Sequence, residues 1–519
     1  MICFVTGGVR SIGSDLVDRV FQLGHDVVAH DNYSTRQKRS LEHARTLPRK
    51  VIHEEREGTP SSTSLCIFVP FVEKYGFLRC AGGAYMNVCV LGLWHLGTVT
   101  AACLASVGHQ VVGLDFDAET VNRLQQGQPP LFEPGLGELV KRGLTEGRLR
   151  FTTDSASALQ GAQVVWVTYD TPVDDGDHAD VESVIEHVIR LFPHLEVDAM
   201  VLISSQLPVG TTRRLEQAFA LAYPGKPVAF GYSPENLRLG KAIHVFTQPD
   251  RVVVGVRCQA DRERVAALLR PITKRIEWMS VESAEMTKHA LNAFLATSVA
   301  FINELATLCE QVGADAKQVE RGLKSESRIG PKAYLGPGAA FAGGTLARDV
   351  AFLSQLGAER RLPMYLMEAV RASNDAHKLW LRRKLQELLG DLKGKAIAVW
   401  GLTYKPGTDT LRRSSSIELC KWLAEQGARV RAHDQAIKAL PSDLDEIELC
   451  FNPLLALEGA VALVVTTEWA DYQSISAETV VSAMSGRPIV IDPNRFLIKT
   501  LGSDARVLYL AVGAPMRQS

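Results

Sequence analysis

At 519 residues the chain is long for one hydrophobic core and suits about two to four domains. Its 46% hydrophobic and 22% charged residues are those of an ordinary globular protein. The 57 Lys plus Arg against 58 Asp plus Glu leave a formal net charge of −1, which excludes the polycationic surface of a nucleic-acid or anionic-lipid binder. Nine cysteines without CxxC or CxxH spacing argue against a zinc site and a disulfide scaffold, so no metal is expected and a reducing cytoplasm is implied. No apolar run reaches the roughly eighteen residues that span a bilayer, and no membrane partner is expected.

In chain order, the sequence writes a strand, a glycine turn, a helix and a strand ending in Asp three times. The first unit is MICFVTGGVRSIG, a helix, then HDVVAHD closing at Asp31. The opening reads as a strand entering a turn, not as a leader. Residues 58 to 85 carry no clear period and read as a linker. The second unit is MNVCVLGLWHLG, a helix to about Val107, then HQVVGLD closing at Asp115. A long helix follows at 283 to 313, proline-free and apolar on more than one stripe, which suits burial between domains or subunits. The third unit is KAIAVWGL, a helix around Ile417 to Glu425, then ARVRAHD closing at Asp434. Continuous apolar strands alternating with helices predict an α/β fold of Rossmann-like, doubly wound domains. The expected division is a βαβ fragment at 1–57, the linker at 58–85, a first large domain at 86–280, a helical middle at 281–385 and a second domain at 386–519.

In the second unit, GLWHLG supplies Gly92 and Gly97 for a tight turn and close helix–strand packing, but sets Trp94 where a glycine would let pyrophosphate approach the backbone. Asp115 stands about twenty residues on, where a carboxylate would meet an adenosine ribose. Taken alone, this fingerprint fits a packing unit as well as a dinucleotide site.

Nine further segments change that balance: PPLFEPGLGELV, TYDTPVDDGDHADVESV, SSQLPVGTT, SPENLRLGKAI, PDRVVVGV, EMTKHALNAFLATSVAFINELA, SRIGPKAYLGPGAAFAGG, YKPGTDTLRRSS and TTEWADY. In this order they resemble the UDP-glucose/GDP-mannose dehydrogenase family over residues 86 to 519. The fragment at 1–57 resembles the start of an extended short-chain dehydrogenase or epimerase, with Arg10 at that family's middle glycine. No Tyr-x-x-x-Lys follows, so the first 85 residues read as a remnant without catalysis or as an accessory cap.

The larger resemblance implies two Rossmann domains joined by a long helix, a homodimer or higher homo-oligomer, and a role in supplying polysaccharide precursors. It implies NAD in the first domain and a nucleotide sugar, a UDP-hexose, against the second. It also implies oxidation of the sugar carbon 6 alcohol twice, through an aldehyde and a cysteine thioester. By motif, Lys288 matches the lysine that stabilises negative charge on that oxygen, with Asn292 one turn later. Asp349 matches the acid that helps a bound water act as base, and Glu235 the glutamate of thioester hydrolysis. Thr171, Gln206 and Arg412 fall at cofactor-loop positions with Gly92, Trp94, Gly97 and Asp115. Arg328, Gly343 and Lys405 fall at substrate positions, Arg328 reaching across a subunit interface.

Two departures carry weight. The family's PGFGFGGSCFPKDV is here PGAAFAGGTLARDV, which places Thr345 on the nucleophilic cysteine and Arg348 on a lysine; a threonine hydroxyl needs an activating base before it attacks anything. Gln206 replaces the threonine of STVP. The primary expectation is an NAD-dependent oxidoreductase of the UDP-glucose 6-dehydrogenase type with an altered second oxidation. The alternatives are a catalytically impaired UDP-sugar-binding paralogue and a redox-neutral epimerase.

Overall fold

The computed structural model describes residues 2–6, 26–30, 85–171, 180–235, 237–342, 344–411 and 413–515. Two strands, β1 (Ile2–Thr6) and β2 (Asp26–His30), pair in parallel from Ile2 with Asp26 to Thr6 with His30. They belong to a unit of their own, Met1–Cys80. Arg10, Asp31 and the segment at 58–84 lie outside the described residues.

The second unit, Ala81–Ser519, holds two sheets. The first is built from β3 (Asn87–Leu91), β4 (Gln110–Leu114), β5 (Leu149–Thr152), β6 (Val164–Val167), β7 (Met200–Ile203), β8 (Ala229–Tyr232), β9 (Val252–Gly255) and β10 (Ile276–Met279). Their order is β10-β9-β8-β7-β6-β3-β4-β5, parallel throughout except where β8 meets β9. Chains such as VVWV of β6 and MVLI of β7 are buried along their whole length, as strands covered on both faces must be. Strand order reverses beside β3, between β4 and β6, and a crevice opens at such a point beyond the carboxyl ends of the strands.

The second sheet joins β11 (Ala396–Trp400), β12 (Arg429–His433), β13 (Ile447–Leu449), β14 (Ala462–Val465), β15 (Ile489–Ile491) and β16 (Leu508–Leu510), all parallel, in the order β13-β12-β11-β14-β15-β16. The Asp that ends each second strand has a mechanical role. Asp434 Oδ2 accepts the N–H groups of Leu402 and Thr403 at 2.7 and 2.9 Å, and Asp115 Oδ2 accepts that of Leu93 at 2.6 Å. Each carboxylate ties the glycine turn of the first strand to the end of the second.

Six helices position the site: α1 (His95–Ser106), α2 (Thr211–Ala222), α3 (Val281–Val312), α4 (Thr345–Glu359), α5 (Tyr365–Lys378) and α6 (Ser415–Glu425). Helix α3 begins where the Ser280 hydroxyl accepts the N–H of Ser283 and ends at Gly313, with φ +78°. Its 32 residues span about 48 Å, and α4 and α5 pack on it through Ala293, Ala296, Ala300, Val350 and Val370. By length and composition alone α3 is long and apolar enough to cross a membrane, a test that the core helix of a globular protein also passes. Glu285 and Lys288 are buried on it, as in a core helix packed on polar partners, while Glu304 is exposed.

Candidate active site

At the end of β3, Gly92 takes φ +89°, and a Cβ there would lie 2.8 Å from the Tyr169 ring. At Gly97 a Cβ would fall 1.7 Å from the Gly92 carbonyl oxygen, so α1 meets the turn only through glycine. Trp94 has φ −69°, a value open to any residue, and its side chain is 49% exposed. Asp115 closes the turn through Leu93 and also accepts the N–H of Asp117 at 3.0 Å. Beside it the rings of Phe116, His187 and Tyr169 stack in series, with Arg190 3.7 Å over Phe116. Tyr169 Oη and His187 Nδ1 are buried there without a hydrogen-bond partner among the described residues. Glycine turn, the Asp115 carboxylate at the strand end and unsatisfied polar atoms beside them fit a dinucleotide.

A second cluster sits beyond β6, β7 and β8, against α3. Glu285, Lys288, His289 and Asn292 follow i, i+3, i+4, i+7 spacing and form one buried polar stripe. Glu285 accepts the N–H groups of Gly210 and Thr212 at 2.6 and 2.9 Å and the Thr212 hydroxyl at 2.6 Å, which caps α2 and holds the 206–210 loop on α3. Lys288 Nζ donates to the Glu235 carbonyl at 2.7 Å and to its carboxylate at 3.2 Å. His289 Nδ1 lies 2.6 Å from Asp349 Oδ1 and its Nε2 2.9 Å from the Leu207 carbonyl.

Asp349 is the hub. It stands one turn inside α4, not at its cap, and is fully buried. Its Oδ2 accepts from the side-chain amides of both Asn292 and Gln206, and the Gln206 oxygen accepts from Arg348. Thr171 is buried alongside, its hydroxyl donating to the Gln206 carbonyl at 2.7 Å. Burial presses the Arg348 guanidinium below its ordinary value, against the pull of Asp349, Asp170 and Glu235. Around the Asp170 carboxyl the protein is crowded although the residue reaches solvent; that desolvation, with the Glu235 charge, pushes it up to about 6 against Arg348.

Glu133 ties the cofactor turn to the loop carrying Glu235. It accepts the N–H groups of Gly240 and Ala242 at 2.7 and 2.8 Å and meets His95 Nε2 at 3.1 Å. Lys405, from the second sheet, is half-buried; desolvation lowers its ammonium and the Glu133 charge opposes the shift.

The PGAAF stretch before α4 is pinned at three of its five residues, Gly338, Ala339 and Phe341. Asn303 donates to the Ala339 carbonyl and accepts the N–H of Gly338, His377 donates to the Gly338 carbonyl, and Asn494 accepts the N–H of Ala339. Asn374 bonds both backbone groups of Phe341, at 3.0 and 2.9 Å. Burial holds the His377 imidazole below its ordinary value, which suits a neutral ring donating through Nε2. Thr345, the first residue of α4, is exposed one turn before Asp349. Arg328 is 87% exposed and paired with its neighbour Glu326, away from these hydrogen-bonded residues. Gly343 and Arg412 lie outside the described residues. Cys89, Cys103 and Cys420 are buried with thiols pushed up to about 12, and Cys309 lies in the core beside the second sheet.

The structure thus gathers Lys288, Asn292, Asp349, Glu235 and Gln206. It adds His289, Glu285, Asp170 and the His95–Glu133 pair, which sequence reasoning missed. The spacing of polar residues on an otherwise apolar helix was the available signal for His289 and Glu285.

Three models of the UDP-glucose/GDP-mannose dehydrogenase family match the chain: its NAD binding domain at residues 86–273, its central domain at 282–376 and its UDP binding domain at 398–499. Among curated proteins, the UDP-glucose 6-dehydrogenase of Pseudomonas aeruginosa is 34% identical over 445 residues, covering 83% of this chain and 98% of its own. That of Rhizobium meliloti is 34% identical over 438 residues, covering 83% of this chain and all of its own. Among solved structures, a UDP-glucose dehydrogenase from the archaeon Pyrobaculum islandicum aligns with TM-score 0.75 at 28% identity, over 84% of this chain and all of that one.

Proposed function

We propose that this chain, which belongs to the UDP-glucose/GDP-mannose dehydrogenase family and is an NAD-dependent nucleotide-sugar oxidoreductase, oxidises the carbon 6 alcohol of a UDP-hexose without a thioester. NAD, when bound, accepts the hydride. Gly92, Gly97 and Asp115 form its crevice, with Thr171 and Gln206 on the loops around it, and Arg412 is assigned to the cofactor by its motif alone. Lys405, Gly343 and a partner copy's residue corresponding to Arg328 take the nucleotide sugar.

At the reacting carbon, the Lys288 ammonium and the Asn292 amide stabilise negative charge on the oxygen as its hydride leaves. The hydroxyl proton passes to a carboxylate open to the cleft, Glu235 or Asp170, and the product is the aldehyde. Asp349 serves as a buried anion that orients Asn292 and Gln206. A second oxidation would require water to add to the aldehyde and a second NAD, exchanged for the NADH, to take the hydride of the hydrate, with Asp170, poised near 6, taking its proton. Thr345 leaves the covalent route closed: its hydroxyl is exposed, and no described cysteine joins the cluster.

The observation that carries this reading is the integration of Gln206. Its amide is bonded at both ends, to Asp349 and from Arg348, and its carbonyl holds Thr171. Both ends of the Gln206 amide are satisfied, so the change at 206 supports a rebuilt site over an inert paralogue; at 348 one guanidinium nitrogen is bonded to Gln206 while Nε is buried without a partner among the described residues. Oligomeric assembly is supported by α3, where Phe294, Phe301 and Leu308 repeat every seven residues and are exposed by 69, 48 and 57%, and by the exposed Tyr365 and Leu366 that begin α5. A second copy of this chain covers that face, and the cytoplasm is its proposed location.

Calorimetric titration of the full chain with NAD and with UDP-glucose separately, followed by NADH absorbance on mixing, tests the reading. Binding of both with NADH formation supports it. Binding of UDP-glucose with no binding of NAD would transfer the case to a binding paralogue, with Trp94 blocking the turn.

A further inference from the structure

His289 has no part in the chemistry derived so far, yet it is 1% exposed and bonded at both ring nitrogens. The hydrogen-bond pattern around it fixes where protons lie. Arg348 is a donor only, so the Gln206 atom facing it is the oxygen, and the amide nitrogen must face Asp349. Asp349 Oδ2 therefore accepts from Gln206, and from Asn292 as well. Two donors on one oxygen favour the ionised carboxylate. The Leu207 carbonyl cannot donate, so Nε2 carries hydrogen; the Asp349 carboxylate cannot donate, so Nδ1 carries hydrogen too.

We propose that His289 is a positioning residue of this site: held as the imidazolium between the Leu207 carbonyl and Asp349, it keeps Asp349 a carboxylate and thereby aims Asn292 and Gln206 at the cleft. The relay runs from a fixed cation, Arg348, through an amide to an anion, and the anion is balanced by a second cation from behind. Fully buried, Asp349 has no solvent to carry its charge; Lys288 is directed to Glu235 and Arg348 reaches Asp349 only through Gln206 and at longer range, so the imidazolium is the cation in direct contact with it. The Phe352 ring, edge-on at 5.3 Å between centroids, closes another side of the imidazole. The other charged groups nearby are Glu285, one turn earlier on α3 and occupied by α2, Glu235 beyond Lys288, and Asp170, which with Asp349 and Glu235 faces Arg348. The sequence marks His289 only as one letter between the Lys and Asn of the motif KHALN.

The consequence for catalysis rests on the proposed role of Asn292, whereas the protonation state does not, and the two are tested separately. Nitrogen-15 spectra of histidine-labelled full-length protein at pH 8 report each ring nitrogen, and His289→Gln or His289→Asn identifies the signal that disappears. The expected spectrum shows one imidazolium with both nitrogens protonated at a pH where an ordinary histidine, near 6.5, is mostly neutral. In Asp349→Asn that signal changes to a ring with one bare nitrogen. A wild-type spectrum with no imidazolium at pH 8 overturns the proposal without any variant, as does an imidazolium unaffected by Asp349→Asn. In kinetics, His289→Gln keeps a donor but loses the charge, and kcat falls about tenfold or more while KM for UDP-glucose moves less than about threefold. Unchanged kcat in a folded His289→Gln protein would remove the positioning role even if the imidazolium is found. Absence of NADH formation by the wild type would instead count against the oxidoreductase mechanism and leave the spectroscopic result standing.

Discussion

Replacing Asp349 by Asn and by Ala separates its charge from its hydrogen bonds. Three donors converge on the carboxylate: His289 Nδ1 on one oxygen, and the amides of Asn292 and Gln206 on the other. In Asp349→Ala all three are left buried without an acceptor. Each orphan costs about 1–3 kcal/mol, and relaxation of the two amides should bring the total near the roughly 3–5 kcal/mol seen when one partner of a buried pair is removed. In Asp349→Asn a matched arrangement survives. The new oxygen faces the two amides, the new amide donates to His289 Nδ1, and the ring gives up one proton while Nε2 still donates to Leu207. What is lost is the charge assistance of the bonds, about 1–2 kcal/mol. In scanning calorimetry the transition that includes α3 should fall by about 6–20 °C for the alanine variant and about 2–8 °C for the asparagine variant. Equal losses, or a larger loss for asparagine, would refute the donor count on which the site is built.

Asp170→Asn probes the raised carboxyl beyond β6. The folded group titrates near 6 and the unfolded one lower, so the folded state holds the proton longer and stability falls as pH rises between about 4 and 6. The variant should therefore gain in melting temperature over wild type at pH 7.5 and lose that advantage at pH 4, with desolvation as the main cause; a gain independent of pH would reject the shift. Thr345→Cys, at an exposed first turn, should leave stability within about 0.5 kcal/mol and allow the family's covalent route, seen as a sugar adduct or as acid product by mass spectrometry. If neither forms, the site differs from a cysteine enzyme by more than one atom. Gly97→Ala drives a methyl group to 1.7 Å from the Gly92 carbonyl, and should cost about 3 kcal/mol or more and abolish NAD binding in titration calorimetry. Phe301→Glu, on the exposed stripe of α3, should convert the light-scattering mass from a multiple of the chain to a single chain; an unchanged mass would place the subunit contact elsewhere.

Much of the architecture was legible because it repeats. Strand, glycine turn, helix and Asp-ended strand recur around Gly92 and Gly401, and both Asp115 and Asp434 close their turns through the same backbone bonds. The long helix runs 281–312 where its period placed 283–313, and α6 begins at Ser415, two residues before the reading, because Ser414 caps it. The site was legible where one motif holds it, as with Lys288 and Asn292. It was illegible where partners come from distant segments: His289 meets Leu207 and Asp349, 82 and 60 residues away in opposite directions along the chain. Gln206 looked like a lost threonine because a side chain's two hydrogen-bonded ends cannot be read from its identity. The Asp170 shift likewise depends on crowding and on Glu235, which no local pattern encodes.

The central claim is oxidation without a covalent intermediate on this chain. Full-length protein would be mixed with NAD and UDP-glucose, quenched in acid within a turnover, and measured by intact mass alongside the NADH released and the sugar product. The expected result is NADH together with an unmodified chain mass and an aldehyde, or its hydrate, as the first product. A sugar adduct on the chain would contradict it, and so would binding of both ligands with no NADH.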